Sequence, residues 1–188
     1  MSLGTRDRLM AEAERLVRRL GYAGFSYADL ASAVGITKAS IHHHFPSKEA
    51  LGLALVAAYE TRYEAAMAAI LTERADAPSR IDAYAALYLK GLEDDLGCLC
   101  AALAVEVAVL PPAFRKALAA FFGKHVDWLA AVIAEGQAAG ELRAGAEPQA
   151  LARHIIATLE GALLMERVFG RAEGFNDTLA ALKASVRA

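Results

Sequence analysis

The sequence predicts an all-α fold, in which an N-terminal three-helix helix-turn-helix domain is followed by a longer helical bundle. The composition favours helices, because Ala, Leu, Glu and Arg are abundant and aromatic residues make up only 7% of the 188 residues. Apolar residues recur every three or four positions along most of the chain, and Pro and Gly fall between these periodic segments. No strand-like alternation or internal repeat stands out. We therefore predict helices throughout.

The first helix is predicted over Thr5 to Leu20, where apolar residues lie at helical spacing before Gly21 ends the pattern. These apolar residues are Leu9, Ala13, Leu16, Val17 and Leu20. Ser26 is a typical N-cap for a second helix, because Asp29 three residues later can complete a capping box. We expect this second helix to end near Val34.

A tight turn and a shorter third helix follow. Gly35 lies where the turn requires a positive φ, Thr37 can cap the third helix, and Pro46 ends it. Ser47 then caps a fourth helix that extends towards Glu73. The remaining helices are expected over about Ser79 to Asp95, Leu99 to Leu110, Pro112 to Ala139, Pro148 to Phe169 and Phe175 to Val186.

Charge is distributed unevenly along the chain. Residues 1–48 hold seven Lys or Arg and four Asp or Glu, which leaves a formal charge of +3. The whole chain carries −2, so the remaining residues carry −5. A basic segment joined to an acidic one is typical of a protein that binds a polyanion through the basic part only.

Several classes of protein are disfavoured. The apolar runs are shorter than the roughly 20 residues that a membrane-spanning helix needs, and the N-terminus lacks the apolar segment of a secretory signal, so we expect no membrane partner and a cytoplasmic location. No nucleophile elbow, phosphate loop or zinc-protease spacing occurs, so neither an enzyme nor a cofactor is expected. Cys98 and Cys100 are poorly placed for a structural disulfide because one residue separates them.

Two capped helices joined by a short glycine-containing turn are typical of a helix-turn-helix. An ordinary corner between two helices of a bundle has the same pattern, so the spacing alone leaves both interpretations open. On the third helix, Ile41 and Phe45 are expected to point inward. The outer side then carries residues that can contact bases or phosphates in a major groove, namely Lys38, Ala39, Ser40, His42 and His43.

The segments FSYADLA (residues 25–31) and VGITKASIHHHFPSKEAL (residues 34–51) strongly resemble the DNA-binding region of the TetR family of transcriptional regulators. The resemblance implies a DNA-binding helix-turn-helix domain over residues 1–48 and a ligand-binding and dimerisation domain over residues 49–188. It also implies a homodimeric repressor that binds a palindromic double-stranded operator. A small-molecule inducer, whose identity does not follow from the sequence, is expected to release that operator.

The resemblance assigns roles to individual positions of the DNA-binding region. By this comparison Ser26, Tyr27, Thr37 and Lys48 contact phosphates, while Lys38, Ala39 and His43 lie nearest the bases. His42 occupies a position where the family often has Tyr. A phosphate contact at this position is therefore expected to be weaker and sensitive to pH.

The run His42-His43-His44 also raises a metal site as an alternative. Consecutive helical residues point about 100° apart, and no Cys or acidic cluster completes a ligand set, so we expect no metal and favour a packed or capping role for His44. A small helical enzyme or metal-binding protein, related to DNA-binding modules by descent only, is the second interpretation of the chain.

Aromatic and polar residues after position 48 share helix faces at i, i+4 or i, i+7 spacing. Core packing explains such faces at least as readily as a ligand pocket does. If they line a pocket, the candidate ligand-binding residues are Tyr59, Tyr63, Tyr84, Tyr88, Cys98, Phe121, His125 and Trp128. Cys98 and Cys100 are either small buried residues or a thiol sensor of oxidants and electrophiles.

The helix that begins near Pro148 is apolar on more than one side, so we expect it to meet a second subunit together with the last helix. Such a contact across a two-fold axis would bring four helices together. The predicted dimer interface comprises Leu151, Ile155, Leu159, Leu163, Phe175, Leu179 and Leu182.

Overall fold

A computed structural model describes residues 4–93, 96–170 and 173–187 of the chain. The regular elements in these ranges are all helices, which confirms the predicted all-α class. They are α1 (Thr5–Leu20), α2 (Tyr27–Val34), α3 (Lys38–His44), α4 (Lys48–Glu73), α5 (Ala77–Glu93), α6 (Leu99–Val105), α7 (Pro112–Ala138), α8 (Pro148–Phe169) and α9 (Glu173–Val186).

The predicted capping residues act as expected at the first turns of α2 and α3. The Ser26 hydroxyl accepts hydrogen bonds from the backbone N–H groups of Ala28 and Asp29, while the Asp29 carboxylate accepts one from the backbone N–H of Ser26 at 2.7 Å. Thr37 Oγ1 accepts from the backbone N–H of Ser40 at 3.2 Å. Between the two helices Gly35 has φ 73°, a left-handed conformation that glycine adopts without steric cost.

Helix α6 ends earlier than predicted, at Val105 rather than near Leu110. Beyond Val105 the chain forms turns, in which the backbone N–H of Val109 donates to the carbonyl oxygen of Glu106 at 2.9 Å. β-Branched valines at 105, 107 and 109 disfavour a helix here. The preceding helix, α5, is described as far as Glu93, so its predicted end at Asp95 lies outside the described residues.

The chain forms two compact units. The head unit comprises residues 4–61 and 99–119, and the body unit comprises the described residues of 62–98 and 120–187. Helices α4 and α7 contribute residues to both units. The head unit is larger than the predicted domain of residues 1–48, because α6 packs against α1 and Phe114 of α7 packs its ring on Tyr22, at 5.2 Å between ring centroids.

In the body unit, α8 packs against both α5 and α9. The core between these helices includes Ile81, Tyr84, Ile155, Leu159 and Phe175, each at most 1% exposed. Among the described helices, α7 alone is long and apolar enough to cross a membrane by length and composition. Because a core helix passes the same test and 44% of the tested window of α7 is buried inside the protein, this is weak evidence for a membrane span.

Candidate nucleic-acid interface and ligand site

The orientation of α3 is set by its buried face. Ile41 and Phe45 are buried, and the Tyr27 hydroxyl donates a hydrogen bond to the carbonyl oxygen of Phe45 at 3.0 Å, which ties the end of α3 to α2. The outward face carries five of the predicted DNA-binding residues. Lys38, Ala39, His42 and His43 are exposed, and Ser40 is half-buried. These side chains therefore lie on one polar surface, as a recognition helix requires.

Ser26 and Thr37 are exposed at the starts of α2 and α3. Their hydroxyl oxygens accept hydrogen bonds from their own helices, and the Ser26 hydroxyl also donates to Asp29 at 2.7 Å. The main role of Ser26 and Thr37 within the protein is therefore that of an N-cap.

Tyr27 and Lys48, which the family resemblance assigns to phosphate contacts, form hydrogen bonds within the head unit. Tyr27 is buried, and its hydroxyl donates to the Phe45 carbonyl. The Lys48 ammonium donates to the carbonyl oxygens of Tyr22 and Phe25 and lies 4.5 and 4.2 Å from the centroids of the two rings. Burial lowers the pKa of Lys48. Both side chains turn inward because they complete the packing of the α1–α2 loop and the end of α3.

The His42 ring is held in one orientation. Its Nδ1 lies 3.2 Å from the carbonyl oxygen of Pro46, and its edge packs on the Tyr27 ring at 5.0 Å between centroids. If Nδ1 donates to that carbonyl, Nε2 of the neutral ring is an acceptor and can donate to a phosphate only when the ring is protonated. The ring of His44, which is half-buried, packs against that of His43. No group of three or more His, Cys, Asp or Glu within the described ranges is arranged to hold a metal.

A further residue that organises the head unit is Glu106, which follows α6. Its carboxylate accepts hydrogen bonds from the backbone N–H of Tyr22 at 2.6 Å and of Ala23 at 2.9 Å. Gly21 lies beside it with φ 82°, and a Cβ at this position would stand 2.5 Å from Glu106 Oε1. Sequence reasoning missed this contact; the available signal was an acid within an otherwise apolar segment.

In the body unit, several predicted ligand residues come together in what we call the aromatic cluster. The Tyr84 hydroxyl lies 2.8 Å from His125 Nδ1 and 3.3 Å from the Tyr88 hydroxyl. The Trp128 ring stacks on the Tyr84 ring, with 5.4 Å between centroids and 25° between planes. The cluster comprises Tyr63, Tyr84, Tyr88, Phe121, His125 and Trp128.

Burial controls the charges at the aromatic cluster. It lowers the pKa of His125 to about 4, so the imidazole is neutral near pH 7. It raises the pKa of both Tyr84 and Tyr88, so their hydroxyls keep their protons. The cluster therefore presents hydrogen-bonding groups without positive charge.

The structure adds a carboxyl group that sequence reasoning missed, that of Glu160 on α8. Its side chain is hydrogen-bonded to the Cys98 thiol and interacts electrostatically with Tyr84 and Tyr88, and burial raises its pKa to about 7. Two buried polar atoms here, Glu160 Oε1 and Trp128 Nε1, have no hydrogen-bond partner among the described residues. The available signal was an acid on the helical face of two buried residues, Ile156 and Leu163.

The remaining two predicted ligand residues, Tyr59 and Cys98, belong to different units. Tyr59 is buried in the head unit, where the Arg18 guanidinium lies 5.9 Å from its ring centroid. Cys98 adjoins the cluster through Glu160, whereas Cys100 is buried in the head unit. The two thiols do not form a disulfide.

Most of the predicted dimer residues turn out to be internal. Ile155, Leu159, Leu163, Phe175 and Leu182 are buried within the single chain, because α8 uses that face against α5 and α9. Leu151 and Leu179 are half-buried. The large apolar residues that α8 leaves exposed are instead Leu164, Met165, Val168 and Phe169, which are 56% to 78% exposed.

Comparison with known proteins agrees with this architecture. Residues 9–55 match the family described as "Bacterial regulatory proteins, tetR family", and residues 77–182 match "Tetracyclin repressor-like, C-terminal domain". The repressor DhaR of Mycobacterium sp. (strain GP1) is 29% identical over 164 residues, which is 87% of this chain and 82% of DhaR. The transcriptional regulator AcuR of Cereibacter sphaeroides is 30% identical over 171 residues, covering 89% of this chain and 78% of AcuR.

A crystal structure of a TetR-family transcriptional regulator from Agrobacterium tumefaciens has the same fold. It is 36% identical in sequence and superposes with a TM-score of 0.94 over 98% of both chains. A likeness of this extent includes both the helices of the head unit and those of the body unit.

Proposed function

Because the chain belongs to the TetR family of transcriptional regulators, we propose that it is a repressor that binds a palindromic operator as a homodimer and releases it when a small molecule binds the body unit. Members of this family are DNA-binding regulators rather than enzymes. Repression is favoured because the relatives DhaR and NemR are both named repressors. We infer a cytoplasmic location, because an operator-binding regulator must reach the bacterial chromosome.

The observation that carries the DNA-binding proposal is the outer face of α3. Lys38, Ala39 and His43 are exposed there, while Ile41 on the opposite face is buried. A Lys at the first turn of a recognition helix can reach the acceptor groups of guanine, and Ala can contact a thymine methyl group. We assign these three side chains to base edges, and His42 and Ser40 to the flanking backbone.

The proposed inducer site is the aromatic cluster together with Cys98 and Glu160. Small-molecule sites are mostly apolar with a few convergent polar groups, and this part of the body unit has that composition. The perturbed pKa values of His125 and Glu160 support the same assignment, because such shifts are concentrated at functional sites.

The proposed dimer contact is the exposed apolar face of α8, formed by Leu164, Met165, Val168 and Phe169. A contiguous exposed apolar patch on a helix is typical of a protein interface. Val168→Glu is expected to give a monomer in sedimentation at a concentration where the parent is a dimer. Val109→Glu, a control at a valine that is equally exposed in the head unit, should sediment like the parent. A dimeric Val168→Glu protein would place the interface elsewhere.

Operator binding is tested by footprinting on the DNA that flanks the protein's own gene. The parent is expected to protect a palindromic site, and Lys38→Ala to lose protection at concentrations where the parent saturates it. Lys90→Ala is the matched control, because Lys90 is an exposed lysine of the body unit. No protected site for the parent, in that DNA or in a random-sequence selection, would overturn the proposal.

A further inference from the structure

We propose that the molecule bound by the body unit is an organic cation, a protonated amine with an apolar body, held by the Glu160 carboxylate and the rings of the aromatic cluster. This inference rests on the proposed function, because it takes the aromatic cluster as the inducer site. It adds the chemical class of the inducer.

The first argument comes from hydrogen-bonding capacity that the described part of the protein leaves unused. Glu160 Oε1 and Trp128 Nε1 are both buried and both without a partner there. Leaving such atoms unpaired is costly, so native proteins rarely bury them without a ligand, water or ion. Tyr84 connects the two residues, because its ring stacks on Trp128 and its hydroxyl interacts electrostatically with Glu160. The Glu160 oxygen is thus available to accept a hydrogen bond from the ammonium group of a bound amine, while the Trp128 N–H can donate only to an acceptor atom elsewhere in the same molecule.

The second argument is the sign of the charge that the site can hold. The hydroxyls of Tyr84 and Tyr88 stay protonated, and His125 stays neutral near pH 7. Glu160 is therefore the group at the cluster that acquires a charge in this range, and that charge is negative. An anionic ligand would be repelled by it, whereas a cation would restore the stabilisation that the carboxylate loses by burial.

Arg167 of α8 lies two turns beyond Glu160 and is a candidate cationic partner for the Glu160 carboxylate. A Cβ added at Gly97 would stand 2.9 Å from the Arg167 guanidinium, so this side chain lies against the segment that precedes Cys98. It does not compensate Glu160, whose pKa remains raised through burial. The carboxylate therefore still lacks a cationic partner within the described residues.

The third argument is the aromatic composition of the cluster. Aromatic rings attract cations through their negatively polarised faces, and Trp and Tyr do so most strongly. The cluster supplies four such rings, those of Tyr63, Tyr84, Tyr88 and Trp128, and two of the four residues, Tyr84 and Tyr88, interact electrostatically with Glu160. This combination is better matched to an alkylammonium or benzylammonium group than to a neutral hydrocarbon, which would leave Glu160 Oε1 unpaired.

The experiment uses Trp128, the only tryptophan of the chain, as the reporter. The full-length protein is titrated with benzylammonium chloride, benzyl alcohol and sodium benzoate, which share one ring and differ in charge. Trp emission is followed at about pH 8, where Glu160 is ionised. Benzylammonium is expected to change the emission and to bind at least about tenfold more tightly than benzyl alcohol, with benzoate the weakest.

Glu160→Gln is expected to remove the preference for the amine over the alcohol. Glu135→Gln is the matched control, since Glu135 is an exposed acid of the body unit whose side chain is 68% accessible. The comparison among the three probes in the parent protein does not depend on whether Glu160→Gln folds. The inference is overturned if benzyl alcohol or benzoate binds as tightly as benzylammonium, or if about 10 mM amine leaves the Trp emission unchanged.

Operator binding is measured in parallel by the anisotropy of labelled promoter DNA, which separates the two proposals. A protein that binds its operator but shows no preference for the amine retains the proposed function and loses this inference. A protein that binds the amine with the expected preference but binds no DNA retains the cation site and loses the proposed function.

Discussion

Glu106 in the head unit and Glu160 in the body unit are both acids set among apolar residues, but their carboxyl groups differ in their hydrogen-bond partners. Glu106 accepts hydrogen bonds from two backbone N–H groups. Glu160 has a thiol beside it, a raised pKa and one buried oxygen without a partner among the described residues. The first carboxylate organises a loop, whereas the second has binding capacity left unused.

The same contrast holds for other polar groups of the two units. In the head unit, Lys48 donates to two carbonyl oxygens and Tyr27 to a third. These bonds fix the loop and helices behind α3, so the side chains on the exposed face of α3, which we propose to contact DNA, are held by a preorganised frame. In the body unit, Trp128 Nε1 remains unpaired within the described ranges. A DNA-reading surface benefits from rigidity, while a ligand site requires groups that its own fold does not satisfy.

The largest expected effect on the free energy of unfolding is that of Glu160→Gln in the body unit. The carboxyl has a pKa of about 7 in the folded protein and near 4.5 when unfolded. Between these values the unfolded chain loses its proton first, so the free energy of unfolding falls as pH rises and stays low above about pH 7. Gln does not ionise, and the variant should therefore be more stable than the parent by up to about 3 kcal/mol at pH 8, and similar at about pH 5.

This prediction is checked by urea unfolding across that pH range. His125, whose pKa is lowered to about 4, destabilises both proteins equally as pH falls below its ordinary value, so it cancels in the comparison. An identical pH dependence for parent and variant would show that Glu160 is hydrated or paired in solution, and the contrast with Glu106 would then disappear.

A smaller effect is expected from Glu106→Ala. Two backbone N–H groups would lose a charged acceptor, one of them partly buried, which should lower the free energy of unfolding by about 2 kcal/mol. Glu106→Gln keeps one acceptor oxygen and should lose about half as much. Thermal unfolding followed by circular dichroism measures both. Equal stability of Glu106→Ala and the parent would mean that the loop is held by other contacts.

Lys48→Ala is expected to lower the free energy of unfolding by about 1 to 2 kcal/mol, because two carbonyl oxygens lose their donor. Lys38→Ala is its control: Lys38 is exposed, so stability should be unchanged while discrimination at one base pair of each half-site falls by about tenfold. Operator, single-base variants and random duplex are titrated at several salt concentrations. If Lys48→Ala is as stable as the parent but lowers the salt dependence by about one counterion, Lys48 contacts phosphate, as the family resemblance implies.

The smallest effect is expected from replacing the two cysteines, which should not change the release of operator DNA by oxidant. Cys98 and Cys100 are both buried, and Cys98 lies beside the Glu160 carboxyl, an environment that does not favour a thiolate. Mild oxidant should therefore release operator DNA from the parent no faster than from the Cys98→Ser, Cys100→Ser double variant. Release that occurs in the parent alone would make the thiols a redox sensor and would add a second function to the Glu160 site.

The local features of the head unit were predictable from sequence because their causes are local. Helix starts follow from caps within three residues, as at Ser26 and Thr37, and the turn follows from the positive φ of Gly35. The exposed face of α3 likewise follows from helical periodicity, once Ile41 is taken as buried. By itself the sequence therefore determined the helical class, the position of the helix-turn-helix and the family.

Only the tertiary structure determined the hydrogen-bond partners of individual polar side chains and the exposure of individual apolar ones. Lys48 and Tyr27 occupy positions that resemble phosphate contacts, yet they bond to carbonyl groups up to 26 residues away in the sequence. The surplus apolar surface of α8 indicated a partner, but packing against α5 and α9 determined that Leu164 and Val168, rather than Ile155 and Leu159, remain exposed. The residues adjacent to Glu160 in the sequence do not predict a perturbed pKa. Its pKa is raised by burial, which no local sequence pattern encodes.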